Sequence, residues 1–147
     1  MVTSTREMRK FKAEFDDDDF KGRPKKSERL LTKDDSQLLG IGLQVVLSGG
    51  ETNRHYHTGQ DAAWLVLEGV ARFYGHTDED VFELNATEGV FIPDGHEYWF
   101  ESGSDAPLKI LRISANIPGV PSQRLNFEEL KDWQKGRLSE KVAPEAR

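Results

Sequence analysis

The sequence predicts an all-β protein, an antiparallel sandwich or barrel, on three observations. Short runs of alternating apolar and polar residues begin near residue 30 and recur about every eight to twelve residues. Gly, Asn, Asp and Pro punctuate them. Helix-period patterning is confined to a short stretch near the C-terminus.

In chain order, residues 1–28 read as a charged N-terminal arm. Basic clusters at 6–12 and 21–26 flank the acidic run 16–19, and Phe11, Phe15 and Phe20 are its large apolar anchors. This arm is the candidate contact in a homodimer, the expected way to cover sheet edges. Residues 29–118 carry the barrel. Its strongest strand is 37–48, where Leu39, Ile41, Leu43, Val45 and Leu47 alternate with small or polar partners until Gly49-Gly50. Further strands are predicted at 52–57, 62–67, 70–74, 81–84, 89–92, 97–101 and 108–115, with a tight turn at Glu68-Gly69. Residues 119–147 form a C-terminal segment with one short helix predicted in it. Asn126 can cap, Glu129 follows three residues later, Leu130 and Trp133 make an apolar side and Gly136 ends it.

Composition narrows function. A chain of 147 residues can close a core of its own. It has no cysteine, so disulfides, zinc-thiolate centres and thiol nucleophiles are excluded. The net charge of −6 argues against nucleic acid as a partner. With no apolar run of membrane-spanning length and no signal-peptide core, a cytoplasmic protein without a membrane partner is expected.

The chemistry concentrates in two blocks. Alternation along a strand places His55 and His57 on one face, about 7 Å apart. Neutral imidazole is the commonest protein donor to transition metals. The block 91–100 adds His96 after the turn Pro93-Asp94-Gly95. With His55 and His57 inward, Arg54 and Tyr56 point outward, and parity places Ala62, Trp64 and Val66 inward on the next strand and His96, Tyr98 and Phe100 across the barrel. Trp64, Tyr98 and Phe100 then make either an aromatic-walled ligand cavity or simple barrel packing. His76 lies in a hairpin turn and is expected to be exposed, and no helix follows Gly49-Gly50 to make a phosphate loop.

These residues resemble the cupins, small single-domain jelly-roll barrels. The resemblance covers about 37–115. Gly49, His55, His57 and Gly69 fall in register with the family's first motif, and Pro93 and Gly95 with its second. The resemblance implies an antiparallel jelly-roll barrel and a metal held by inward-facing side chains. The sequence departs from the family at Ala62, which stands where the motif places its glutamate, and at Tyr98, which stands at the second motif's histidine. Thr87 and Ser102 replace its glycine and asparagine. The candidate ligands are therefore His55, His57, His96 and Gln60, for a divalent Fe, Mn, Ni, Co, Cu or Zn ion. Tyr98 and Asp61 are the candidate catalytic proton carriers, and Ala62, Trp64, Val66 and Phe100 the pocket.

Two functional classes follow. One is a metal-dependent enzyme acting on a small organic molecule, with oxygenase (dioxygenase) or isomerase/lyase chemistry. The other is a non-catalytic barrel that binds a small molecule and keeps its histidines as polar pocket-liners. A structural or storage role has fold analogy alone behind it.

Overall fold

Alternation of apolar and polar residues fits a pleated sheet with one face buried, and ten strands realise it: β1 (Lys25–Leu31), β2 (Leu39–Val46), β3 (His55–Thr58), β4 (Gln60–Glu68), β5 (Ala71–Tyr74), β6 (Val81–Leu84), β7 (Gly89–Ile92), β8 (Trp99–Ser102), β9 (Leu108–Asn116) and β10 (Gln123–Asn126). The structure, a computed structural model, describes residues 6–144. One sheet runs β1-β2-β9-β4-β7. The facing layer is made of β6-β5-β8 and β10-β3. Its two pieces meet where the His55 and Tyr98 N–H groups each donate to the other's carbonyl, at 3.1 and 2.9 Å. All pairings named here are antiparallel, and the two layers close as a jelly roll.

The inward residues of β4, β5, β8 and β9 make the core. Trp64, Val66, Ala71, Phe73, Phe100, Leu108 and Ile110 are all buried. Phe73 stacks on Phe100 with ring centroids 4.7 Å apart, and Trp64 lies 4.8 Å from Phe100. Burying side chains of this size contributes about 1.5–3 kcal/mol each. The turn from β4 to β5 needs Gly69. Its φ is +83°, and a Cβ there would come within 2.6 Å of the Pro107 carbonyl oxygen.

Two differences from the sequence reading stand out. β1 begins at Lys25, inside the stretch read as arm. The arm before it lies along its own chain: Arg9 makes a two-pronged ion pair with Asp35 and donates to the Leu30 carbonyl, and Lys26 reaches Asp17 at 2.7 Å. The predicted C-terminal helix is not formed. A single 3-10 turn, Asp132–Gln134, stands in its place. The intended cap, Asn126, is instead the last residue of β10, and its side-chain amide donates to the Ser139 and Lys141 carbonyls at 2.8 Å each. A helix that short has little stability of its own. Tertiary hydrogen bonds to Asn126 and burial of Leu130 and Gln134 decide the path. Among the described residues no helix is long and apolar enough to cross a membrane.

Candidate ligand site in the barrel

β3 is short, and His55 and His57 both face the interior, as alternation requires. Their rings meet edge to face with centroids 5.1 Å apart. His55 is buried, and its Nδ1 lies 2.7 Å from the Asn53 carbonyl oxygen. A carbonyl only accepts, so Nδ1 carries the proton and Nε2 presents its lone pair. The Tyr98 ring, also buried, packs 4.6 Å from His55 and 6.3 Å from His57.

Opposite the histidines stand two guanidiniums that sequence reasoning passed over. Arg112, on β9, pairs in register with Trp64 of β4 and lies 5.7 Å over the indole. It donates to the Gln60 side-chain carbonyl. Arg124, on β10, pairs in register with His57 and donates to the side-chain carbonyls of Asn53, at 2.7 Å, and Asn126. Neither arginine is in an ion pair among the described residues. Lys25 on β1 is a third interior cation, held 4.9 Å over Phe100 and 5.3 Å over Trp133.

The electrostatics follow from this arrangement. Burial, then Arg124 and His57, drive the His55 imidazole well below its ordinary pKa. Burial, Arg112 and Arg124 bring His57 down to about 3. Both are therefore neutral near pH 7. Burial lowers Arg124 to about 10, and the Tyr98 phenol opposes that shift. Burial, then Arg124 and Arg23, lower Lys25 to about 7.

The remaining sequence candidates divide sharply. Gln60 is at the polar end, between Arg112 and Ser122. Ala62 is buried opposite Ser114 and Ile92. Val66 and Phe100 are packed core residues beneath the site, and Trp64 joins that packing with its indole N–H buried and unpartnered. Asp61 and His96 are corrections. Asp61 falls between the inward residues Gln60 and Ala62, so it faces out, and its carboxylate accepts the Asp94 backbone N–H at 2.9 Å. It caps the Pro93-Asp94-Gly95 turn from outside and cannot relay protons within the barrel. His96 precedes β8, within the loop, where its ring packs 4.2 Å from His76 and does not join His55 and His57 in a ligand cluster. Its Nδ1 lies 2.8 Å from the Glu97 carbonyl. His76 is exposed and pairs with the Glu97 carboxylate at 2.7 Å.

Beside this polar end, a cavity of about 230 Å³ opens between β5–β6 and β7. Phe73, Phe82, Val90, Phe91 and Ile92 give it a mostly apolar lining, and Tyr98, His96 and Asp80 add polar groups. It lies where the edges β6 and β7 of the two sheets leave a gap, and Phe82 and Phe91 are exposed at its rim. Tyr98 belongs to both places.

A family model described as a cupin domain matches residues 42–114. The chain belongs to the cupin family. Over 73 residues this cupin is 30% identical to an acireductone dioxygenase of Enterobacter sp. (strain 638), which covers 48% of this chain and 40% of that protein. The chain thus spans less than half the length of that relative. Among solved structures, an uncharacterized conserved protein with a double-stranded β-helix domain from Klebsiella pneumoniae superposes with a TM-score of 0.62 at 17% identity, covering 79% of this chain and 97% of that one. The Schizosaccharomyces pombe Cnp3 cupin domain gives a TM-score of 0.57 at 13% identity, covering 64% and 66%. Both likenesses concern the fold alone.

The donor set fits a resident metal poorly. Among the described residues, no three His, Asp or Glu side chains converge as ligands. Two imidazoles remain, with Ala62 and Tyr98 at the family's other ligand positions and His96 packed against His76 at the cavity between β5–β6 and β7. The Gln60 oxygen already accepts from Arg112, and two guanidiniums act on the histidines. A divalent cation would meet their charge with no carboxylate to offset it.

Proposed function

We propose that this cupin binds a small organic molecule in the barrel, with its apolar part in the cavity between β5–β6 and β7 and its polar part toward Tyr98 and His57. One observation carries the reading: the apolar cavity ends on Tyr98, whose ring also packs against the His55/His57 pair. An apolar cavity with a few convergent polar groups is the usual form of a small-molecule site. Its volume suits a single aromatic ring with a short substituent. Titration of the protein with benzyl alcohol, followed by amide NMR, tests it. The expected result is saturable shifts centred on Phe73, Val90, Ile92 and Tyr98, abolished by the cavity-filling change Val90→Trp. Shifts scattered over the surface, or none, would end the reading.

A metal-dependent enzyme of dioxygenase or isomerase/lyase type is the second reading. It is favoured by the Nδ1–H of His55, whose bond to the Asn53 carbonyl is the kind of outer contact that orients a metal-binding imidazole. The partial likeness to a dioxygenase points the same way. Elemental analysis of protein purified without chelators, beside a His55→Ala/His57→Ala variant, decides it. Near-stoichiometric metal lost in the variant would establish this reading. No metal after reconstitution with Fe, Mn, Ni and Zn would remove it.

A further inference from the structure

The interior of the barrel is positively charged in a protein whose net charge is −6. Arg112 and Arg124 supply two cations, Lys25, lowered to about 7 by burial, is partly charged beside them, and the two histidines, neutral as they are, cancel none of this charge. Each arginine is held by neutral amide oxygens: Gln60 for Arg112, Asn53 and Asn126 for Arg124. Those bonds fix the guanidiniums in place without discharging them. Asn53 is itself buried, and its amide is anchored to Asn126 at 2.9 Å and to the Glu128 carbonyl at 2.8 Å, so the support behind Arg124 is rigid.

Holding guanidiniums in a low-dielectric interior without carboxylate partners costs stability unless something anionic completes the site. A second, independent feature points to the same ligand. Trp64 is 3% exposed, its indole N–H has no acceptor, and it lies beneath the Arg112 guanidinium. A buried indole N–H ordinarily finds a partner. Both uncompensated forks act on His57, and the orphaned donor belongs to the ring beneath one of them. Arg112, Arg124 and His57 are each partly buried, with some of their surface still exposed.

We infer that the polar end of this barrel is an oxyanion subsite, in which Arg112 and Arg124 bind the carboxylate or phosphoryl group of an organic acid and the Trp64 N–H completes the donor set. The planar guanidinium fork matches both anions in geometry. The inference rests on the small-molecule reading above and names its ligand class: an organic acid whose body extends past Tyr98 into the apolar cavity. It also gives a physical account of why the motif positions for a metal carboxylate and a third histidine are Ala62 and Tyr98. An anion, rather than a cation, supplies the missing countercharge.

The test compares three probes of similar size on the intact chain: benzoate, phenylphosphonate and neutral benzyl alcohol, titrated by calorimetry and by Trp fluorescence at low and high salt. At least one acid should bind tenfold or more tightly than benzyl alcohol, with an affinity that falls as salt rises. The stronger acid tells whether the site prefers a carboxylate or a phosphoryl group. Arg112→Met should erase that preference, and Arg112→Lys should restore part of it. The comparison among probes on the unaltered protein stands whether or not the variants fold. Benzyl alcohol binding as tightly as both acids would overturn the oxyanion subsite while leaving the cavity reading in place. Binding of none of the three would overturn both.

Discussion

At one end of the barrel interior, Val46, Phe73, Phe100 and Leu108 close against one another, with Lys25 held over Phe100. At the other, His55, His57, Arg112, Arg124 and Gln60 face inward, and the hydrogen bonds of His55 and the arginines run to amides and backbone rather than to opposite charges. The same period of two builds both ends. β9 shows this within one strand: Leu108 and Ile110 are core, and Arg112 two residues on belongs to the site. The difference teaches that the apolar half supplies the stability on which the charged half depends. A basic interior with no countercharge persists only on a scaffold held together elsewhere.

The comparison breaks or sharpens under substitution. The largest effect belongs to the apolar end. Phe73→Ala, at the centre of the aromatic stack, should cost about 3–5 kcal/mol in urea denaturation. A loss below about 1 kcal/mol would show that this end is not the stabilising half.

Lys25→Met carries the opposite sign. It removes a buried charge with no anionic partner, a change that commonly gains about 1–4 kcal/mol, against a lost cation–π contact of about 0.5–2. The net expectation is a gain of about 1 kcal/mol, read as a Tm higher by about 2–4 °C at pH 7. The pH dependence supplies a second readout. The folded pKa is about 7 and the ordinary value is 10.5, so between them the unfolded chain binds more protons. Native stability should therefore rise as pH climbs from about 7 toward 10.5, and this rise should be missing in Lys25→Met.

The smallest effect concerns the histidines. With His57 lowered to about 3 against an ordinary 6.5, the unfolded chain again binds more protons within that window. His57 contributes stability that is complete above pH 6.5 and lost as pH falls toward 3. His57→Gln should flatten the acid limb of a Tm-against-pH curve. An unchanged limb would mean that His57 titrates normally and is not buried among the arginines.

Strand positions were legible because alternation depends only on local order. β6 and β7 fall on the predicted residues, and β2 and β9 lie within one or two residues of theirs. β1 and β10 were missed for the same reason. Lys25–Leu31 is masked by its charges, and Gln123–Asn126 has too little apolar content to announce a strand. Arg112 was visible in principle, as a charge at inward parity between Ile110 and Ser114. Arg124 left no such trace, since its place opposite His57 depends on a pairing between β3 and β10 far apart in sequence.

The spacing of His55 and His57, the turns at Gly69 and Pro93-Asp94-Gly95 and the alternation between them are enough to specify a cupin barrel with two inward imidazoles. Short-range stereochemistry imposes all of these. The tertiary structure decided what those imidazoles face. Long-range strand pairing brought Arg112 and Arg124 to the histidines, a loop carried His96 out to His76, and hydrogen bonds to Asn126 replaced the expected helix. The net charge of a cavity is a sum over residues that only folding makes neighbours. For this barrel, that sum is the basis of the anion subsite proposed above.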